Sequence, residues 1–169
     1  NLNIEFLQKK FGNNLKVNEN LSKYSWFNLG GNADIFFRPD STDQLANFLK
    51  EAKVNSYKVH ILGAGSNTLI RDAGFKGAVI KLSSKFAGIK LLSKDKIEVG
   101  AAMLDRKVSD FAQNNDISEM EFLSCIPGSI GGAITMNSGC YGSDISKILL
   151  SIKVIDHNGK EKEIKKNDI

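Results

Sequence analysis

Histidine, cysteine and proline each occur only twice in this sequence, and tryptophan once. The histidines, His60 and His157, stand far apart, which argues against a His-based metal centre. The cysteines, Cys125 and Cys140, match no metal-binding spacing and read as a reduced pair of small, buried or half-buried residues. No metal is expected. No stretch approaches the run of about 18 apolar residues that a membrane-spanning helix needs, so no membrane partner is expected either. Asn1 to Lys10 carries Glu5 and two lysines in a helical pattern. It lacks the basic start and apolar run of a signal peptide, and the cytoplasm is the expected compartment. Catalytic combinations are equally thin. Neither cysteine has a histidine close in sequence, and no Gly-x-Ser-x-Gly elbow is followed by a suitable acid and base.

What is present is ordinary in bulk. Apolar residues make up 41% and charged residues 25% of the 169 positions, enough for a packed core. Lysine and arginine outnumber the acids by 23 to 19, for a net charge of +4. A basic balance suits nucleic acid, but it also suits an anionic small molecule such as a dinucleotide. The lysines are dispersed, and the one dense stretch, Lys160 to Lys166, is interrupted by Glu161 and Glu163. No nucleic-acid partner is expected.

Periodicity outlines the elements. Ile4, Leu7 and Phe11 share a helical face. A polar stretch, Gly12 to Ser25, follows, and Ala33 to Arg38 reads as a strand stopped by Pro39. Ser41 with Gln44 forms a capping box ahead of Leu45, Phe48, Leu49 and Ala52. Val59 to Leu62, Thr68 to Arg71 and Gly77 to Leu82 read as strands. Lys90 to Leu92 and Ile97 to Val99 pair as a hairpin. Leu104, Val108, Phe111 and Ala112 mark a third helix, with Asp105 as its cap or inside its first turn. Leu150 to Asp156 and Glu161 to Lys165 form a hairpin around Asn158-Gly159, with a type I′ turn. Short strands mixed with three helices predict an α+β architecture rather than a regular βαβ alternation.

Three glycine-rich segments carry the chemistry. Gly63-Ala64-Gly65-Ser66-Asn67 follows a strand, where glycines let the backbone close on a ligand and successive N–H groups make a nest for an anion. The loop reads either as a phosphate cradle or as a plain tight turn. A third glycine and a following helix are missing, so it is no Rossmann fingerprint, and it lacks a Walker ending. In Pro127 to Asn137, Pro127 fixes one backbone angle, Gly128 permits a left-handed one, and Gly131 and Gly132 clear a face against which a flat ring can lie. The alternative there is a tightly packed helix start. Trp26 to Gly31, with its double glycine, is either a bulge or a third place where ligand meets backbone. Segments so poor in titratable groups bind something and leave the chemistry to others, as a cofactor site does.

Three stretches resemble the UDP-N-acetylenolpyruvoylglucosamine reductase family, also called UDP-N-acetylmuramate dehydrogenases. They are Trp26-Phe27-Asn28-Leu29-Gly30-Gly31-Asn32-Ala33, Leu62 to Asp72, and Ile126-Pro127-Gly128-Ser129-Ile130-Gly131-Gly132-Ala133 through Met136-Asn137-Ser138-Gly139-Cys140-Tyr141-Gly142. From about Leu21 onward the chain is similar to the N-terminal two-thirds of that family. The resemblance implies an FAD domain of the PCMH or vanillyl-alcohol-oxidase type, in two lobes with FAD between them. It also implies NADPH as hydride donor, a UDP-sugar substrate and a role in peptidoglycan synthesis. On this view residues 1–20 are an N-terminal helix and linker, 21–82 the first lobe and 83–169 the second. Gly63, Ala64, Gly65, Ser66, Asn67 and Thr68 would hold the pyrophosphate. Pro127, Gly128, Ser129, Gly131, Gly132, Ala133 and Asn137 would lie along the isoalloxazine. A side chain at Gly65 would then fill the space of the pyrophosphate. A competing reading keeps the fold and makes the protein an oxidase of small alcohols, in which flavin is often attached through a histidine near the phosphate loop; His60 precedes that loop here. A monomer is expected.

The resemblance also implies an arginine, a serine and a glutamate with catalytic roles past Ile169, so none of the residues here is assigned one. Hydride transfer to an enol ether builds negative charge that must be stabilised and then protonated. The 169-residue chain supplied with FAD is therefore expected to oxidise NADPH in response to the UDP-sugar at least about a hundredfold more slowly than a full-length reductase. A stopped-flow or plate-reader assay at 340 nm (the nicotinamide absorbance) checks this. Turnover within about tenfold of the full-length enzyme would place catalytic groups inside this chain.

Overall fold

The helical period over Ile4–Phe11 and the cap at Ser41 both become helix, and they bury the residues that the period selects. The structure is a computed structural model that describes residues 3–169. The chain divides into two units. One holds the described residues up to Ser83 together with Lys153–Lys162, and the other holds Ser84–Ile152 and Glu163–Ile169.

In the first unit, helix α1 (Ile4–Phe11) is capped by Asn3, whose side chain accepts from the Phe6 N–H at 3.1 Å. Strand β1 (Leu15–Asn20) lies antiparallel to β2 (Asn32–Phe37). It occupies part of the polar stretch read between Gly12 and Ser25, whose alternation of Leu15, Val17 and polar residues was overlooked. Asn18 interrupts it with a φ of 53°, and its side-chain oxygen accepts from the Asn32 amide at 3.0 Å. Helix α2 (Thr42–Val54) begins at Ser41, whose hydroxyl accepts from the Gln44 N–H at 3.2 Å. The capping box is modified, because Gln44 reaches back to the Asp40 N–H and not to that of Ser41. Strands β3 (Val59–Ile61) and β4 (Phe75–Ile80) complete a sheet of order β1-β2-β4-β3, with β2 and β3 both parallel to β4.

This sheet buries both faces. Ile35, Phe37, Ala78 and Ile80 meet Leu7 and Phe11 of α1 and Phe48, Leu49 and Ala52 of α2. Phe37 stacks on Phe48 with centroids 4.4 Å apart, and Phe11 sets its edge against both. On the other side Phe36 and Val79 pack with Leu21 and Leu62, and Tyr24 stacks on Phe36 at 4.2 Å. Thr68 to Arg71 is not a strand. Its carbonyls are taken by loop groups, Thr68 O by the Ser25 hydroxyl and Arg71 O by the Gly31 and Gly74 N–H groups, so no ladder forms.

In the second unit β5 (Ile89–Ser93) and β6 (Lys96–Val99) form the expected hairpin. Helix α3 (Asp105–Asn114) starts at Asp105, inside the helix and without a side-chain cap. Leu104 is not on its buried face; it precedes the helix, half exposed, and bridges to Ser129. Helix α4 (Ile130–Met136), the short pair β7 (Gly139–Cys140) and β8 (Ser143–Asp144), and α5 (Ile145–Ile148) follow. Val108, Phe122, Leu123, Ile130, Ala133 and Ile145 form their core. Cys140 is half-buried as read, but Cys125 is exposed, at the end of a 3-10 turn. Strands β9 (Ser151–Ile155) and β10 (Glu161–Lys165) pair last, and their Lys153–Lys162 stretch with the turn belongs to the first unit. Their turn is not type I′, since Gly159 alone has positive φ (69°). The Gly159 N–H donates to Asp156 O and the Asp156 N–H to Lys160 O, a type I turn closed by a left-handed glycine. Among the described residues no helix is long and apolar enough to cross a membrane.

Because Phe48 is wholly buried within an aromatic trio, Phe48→Ala is expected to cost about 3–5 kcal/mol. Val54→Ala, at a position 81% exposed, should change stability by under about 0.5 kcal/mol. Urea unfolding checks both through the transition midpoint at constant m.

Candidate functional site

The Gly63–Thr68 loop leaves β3 held on three sides. Leu62 N–H donates to Ile80 O at 2.8 Å, Trp26 N–H donates to Gly65 O at 3.0 Å, and the Lys81 ammonium donates to Gly63 O. Gly65 has a φ of 76°, which a side chain rarely adopts, and a Cβ there would stand 1.9 Å from the Tyr24 carbonyl oxygen. The steric reason for this glycine is therefore the chain's own backbone, and the expected one, an occupied pyrophosphate space, is corrected. The double glycine of the third segment has the same explanation. A Cβ at Gly30 would meet Ile70, and one at Gly31 would meet the Asp72 carbonyl at 2.0 Å. Both glycines let Trp26–Gly31 lie against the 70–72 stretch.

The loop's own donors stay open. Among the described hydrogen bonds, none is donated by the backbone N–H groups of Ala64, Gly65, Ser66 or Asn67. Ala64 lines a cleft of about 360 Å³ together with Lys23, Tyr24, Trp26, Asn28 and Lys81. Burial, and then the Arg38 charge, push the Lys81 ammonium below its ordinary value. A half-buried cation that donates to a carbonyl, beside open backbone N–H groups, makes a place for an anion. Lys81 was missed in the sequence; its signal is a lysine directly ending the apolar run of β4. Tyr24 lies on the same cleft. Burial, then its 2.8 Å bond to Glu19, raise its hydroxyl to about 12, so it stays a neutral donor.

The second segment is built on a backbone zipper. Asp105 N–H donates to Gly128 O at 3.1 Å, Ile130 N–H to Met103 O at 2.9 Å, and Gly131 N–H to Ala101 O at 2.9 Å. Gly128 does not take a left-handed conformation, contrary to expectation. Its lack of a side chain makes room for Asp105, whose Oδ2 would lie 2.7 Å from a Cβ there. Gly131 packs on Ala101, with a Cβ distance of 3.1 Å. Gly132 differs, because a Cβ on it would meet nothing closer than the Ser129 hydroxyl at 3.7 Å. The two glycines thus do not clear one common face. Thr135 Oγ1 is spent on Gly131 O at 2.8 Å, Asn137 caps α4 in the left-handed region and accepts from Ser146 N–H at 2.9 Å, and Ala133 is in the core. Pro127 is exposed and Ser129 nearly buried. Gly63 to Thr68 all belong to the first unit and Pro127 to Asn137 all to the second.

The centre of the zipper is Asp105, wholly buried, with neither carboxylate oxygen hydrogen-bonded among the described residues. Burial alone pushes its carboxyl up to about 6. The sequence offered it as a helix cap or as a first-turn residue, and the second holds. Its spacing to Val108 and Ala112, three and seven residues on, placed it on the buried stripe all along.

A mixed sheet, a second α+β unit and a glycine loop with open donors define a cofactor-binding domain of the PCMH or vanillyl-alcohol-oxidase type. The chain belongs to the family described as FAD binding domain, whose model matches residues 33–165. Among curated proteins it is 49% identical over 156 residues to a UDP-N-acetylenolpyruvoylglucosamine reductase of Pelagibacter ubique (strain HTCC1062), covering 90% of this chain and 51% of that protein. Among solved structures it is similar to the UDP-N-acetylenolpyruvylglucosamine reductase of Thermus caldophilus, with a TM-score of 0.71 at 24% identity, covering 90% of this chain and 52% of that one. An alkyldihydroxyacetonephosphate synthase shares the fold with a TM-score of 0.70 at 14% identity, covering 98% of this chain and 38% of the other. The chain spans about half the length of the relatives it matches, less than the two-thirds expected from the motifs.

The Asp105 carboxyl, ordinarily near 3.8, sits near 6 in the folded chain. Below about pH 4 it is neutral in folded and unfolded states alike and carries no penalty. As pH rises towards 6 the unfolded chain releases this proton first, so folding stability falls by about 3 kcal/mol, fully lost above about pH 6. Asp105→Asn removes that dependence. Urea unfolding of both proteins at pH 4 and pH 7.5 should show the Asn variant gaining about 3 kcal/mol on the wild type between the two conditions.

Proposed function

We propose that this chain is the FAD-holding portion of an NADPH-dependent oxidoreductase that converts UDP-N-acetylenolpyruvoylglucosamine to UDP-N-acetylmuramate, a step of peptidoglycan synthesis. The identity to the Pelagibacter reductase supports the substrate, and membership of the FAD binding domain family supports the cofactor.

The residues present fit the cofactor. Backbone N–H groups of Ala64, Gly65, Ser66 and Asn67, with the Lys81 ammonium, hold the pyrophosphate. An anion there would add a charged partner to the Gly63 carbonyl that Lys81 already holds and return its ammonium towards the ordinary range. The observation that carries the reading is Gly132. A glycine inside a helix costs about 1 kcal/mol against alanine, and nothing in this chain would obstruct a Cβ at that position. The bare backbone at Gly132 serves something outside the chain, and a flat isoalloxazine lying on the Pro127–Asn137 segment is such a group. When bound, FAD supplies a hydride acceptor for NADPH and a hydride donor for the enol ether. The chain's part is to bind and orient. Gly128 and Gly131 let the segment lie close on the 101–105 stretch, and Asn137 ends α4 so that the chain turns away.

Two variants separate the two halves of the cofactor. Gly132→Leu should weaken riboflavin and FAD binding by at least about tenfold while the melting temperature stays level or rises. Lys81→Met should weaken ADP and FAD by about tenfold and leave riboflavin alone. Flavin fluorescence quenching and calorimetric titration with ADP read these out. Unchanged FAD affinity in both variants would remove the cofactor from these positions.

A further inference from the structure

We propose that Cys125 and Cys140 form a reversible intrachain disulfide, a redox clasp that joins the two ends of the Ile126–Gly139 segment. They are the chain's two cysteines. Cys125 ends the 3-10 turn Glu121–Cys125, and Cys140 lies in β7, which packs against that turn. Cys140 also joins the core to which Phe122 and Leu123 of the same turn belong. The packing of β7 on the 121–125 turn brings the two cysteines to neighbouring positions.

The two thiols are not equivalent, and their difference assigns their roles. Cys125 is exposed, with the Ser124 hydroxyl 3.6 Å from its sulfur. Cys140 is half-buried, and burial, then the neighbouring Cys125 thiol, raise its pKa. A peroxide therefore meets Cys125 first. The Cys125 thiolate attacks one peroxide oxygen, the O–O bond breaks, and the leaving hydroxide takes a proton to become water. Cys125 is left as a sulfenic acid. The Cys140 thiol gives up its proton as its sulfur attacks Cys125, the S–O bond breaks, and a second water leaves. In sum two thiols and one peroxide become one disulfide and two waters, with two electrons passing from sulfur to oxygen. A dithiol reductant reverses the bond.

The ring closed in this way encloses every glycine of the second segment. Resting on the reading that this segment meets the flavin, the oxidised chain holds it in place before the ligand arrives and so binds FAD more tightly.

The chain is first reduced, then treated with hydrogen peroxide, alkylated and digested without reductant for mass spectrometry. A Cys125–Cys140 linked peptide that vanishes on reduction is expected. Cys125→Ser should abolish it, and Cys140→Ser should strand Cys125 as sulfenic or sulfinic acid. Over-oxidised Cys125 in the wild type without any link, or disulfide-linked dimers in its place, overturns the clasp. FAD titration of the two redox forms separates the two readings. About threefold or more tighter binding when oxidised upholds both. A link that forms with equal FAD affinity, or with no FAD binding in either form, keeps the clasp and overturns the flavin placement.

Discussion

The Pro127–Asn137 segment of the second unit depends on one buried contact, the seat of Gly128 on Asp105. Three backbone hydrogen bonds bind the 101–105 stretch to Gly128–Gly131. They close only because Gly128 and Gly131 bring no side chain between the two backbones. The Asp105 carboxyl lies at the centre without a hydrogen-bond partner among the described residues. An apolar residue of the same shape would serve packing better above pH 6, since an unpaired buried charge is costly. The zipper thus sacrifices stability at one point while ordering the turn that carries Pro127 to Ser129.

The first unit follows a different logic. Its sheet is packed on both faces by aromatics and aliphatics, and the loop after β3 continues from that frame, half-buried and tied to Trp26 and Lys81. The sheet's rigidity lets four consecutive residues leave their N–H groups open without the loop collapsing on itself. Lys81 continues β4 and brings a positive charge to the same loop from below. A rigid strand end, a loop with open N–H groups and a lysine come together here without a helix and without a third glycine.

Much of this was legible in the sequence. The helical stripes of α1 and α2, the Ser41 cap, the β5–β6 hairpin and the α+β class follow from local periodicity and turn chemistry, and tertiary contacts left them in place. The misreadings came where tertiary contacts overrode local pattern. Thr68 to Arg71 looks like a strand because it is apolar and branched, yet its carbonyls are claimed by Ser25, Gly31 and Gly74. Gly30, Gly31 and Gly65 were read as a bulge and a tight turn or as places where backbone meets ligand, and Gly128 as a left-handed angle, and all four are fitted to the chain's own atoms. No pattern in sequence separates a glycine facing a carbonyl from one facing open space, so Gly132 stands out only in three dimensions. Lys81 was one basic residue among many, and only the fold sets it beside Gly63.

The first sheet also has two edges, β1 and β3. An edge strand with free backbone groups invites a strand from another molecule. Here β3 is only three residues long, and β1 is broken at Asn18, where the left-handed backbone turns the peptide groups out of register for a flat partner. A chain this rich in buried phenylalanine would expose adhesive surfaces while folding on the ribosome or after heat. The kink at Asn18 and the brevity of β3 deny such surfaces a continuous template, so that newly made copies meet each other without a ready path into fibrils.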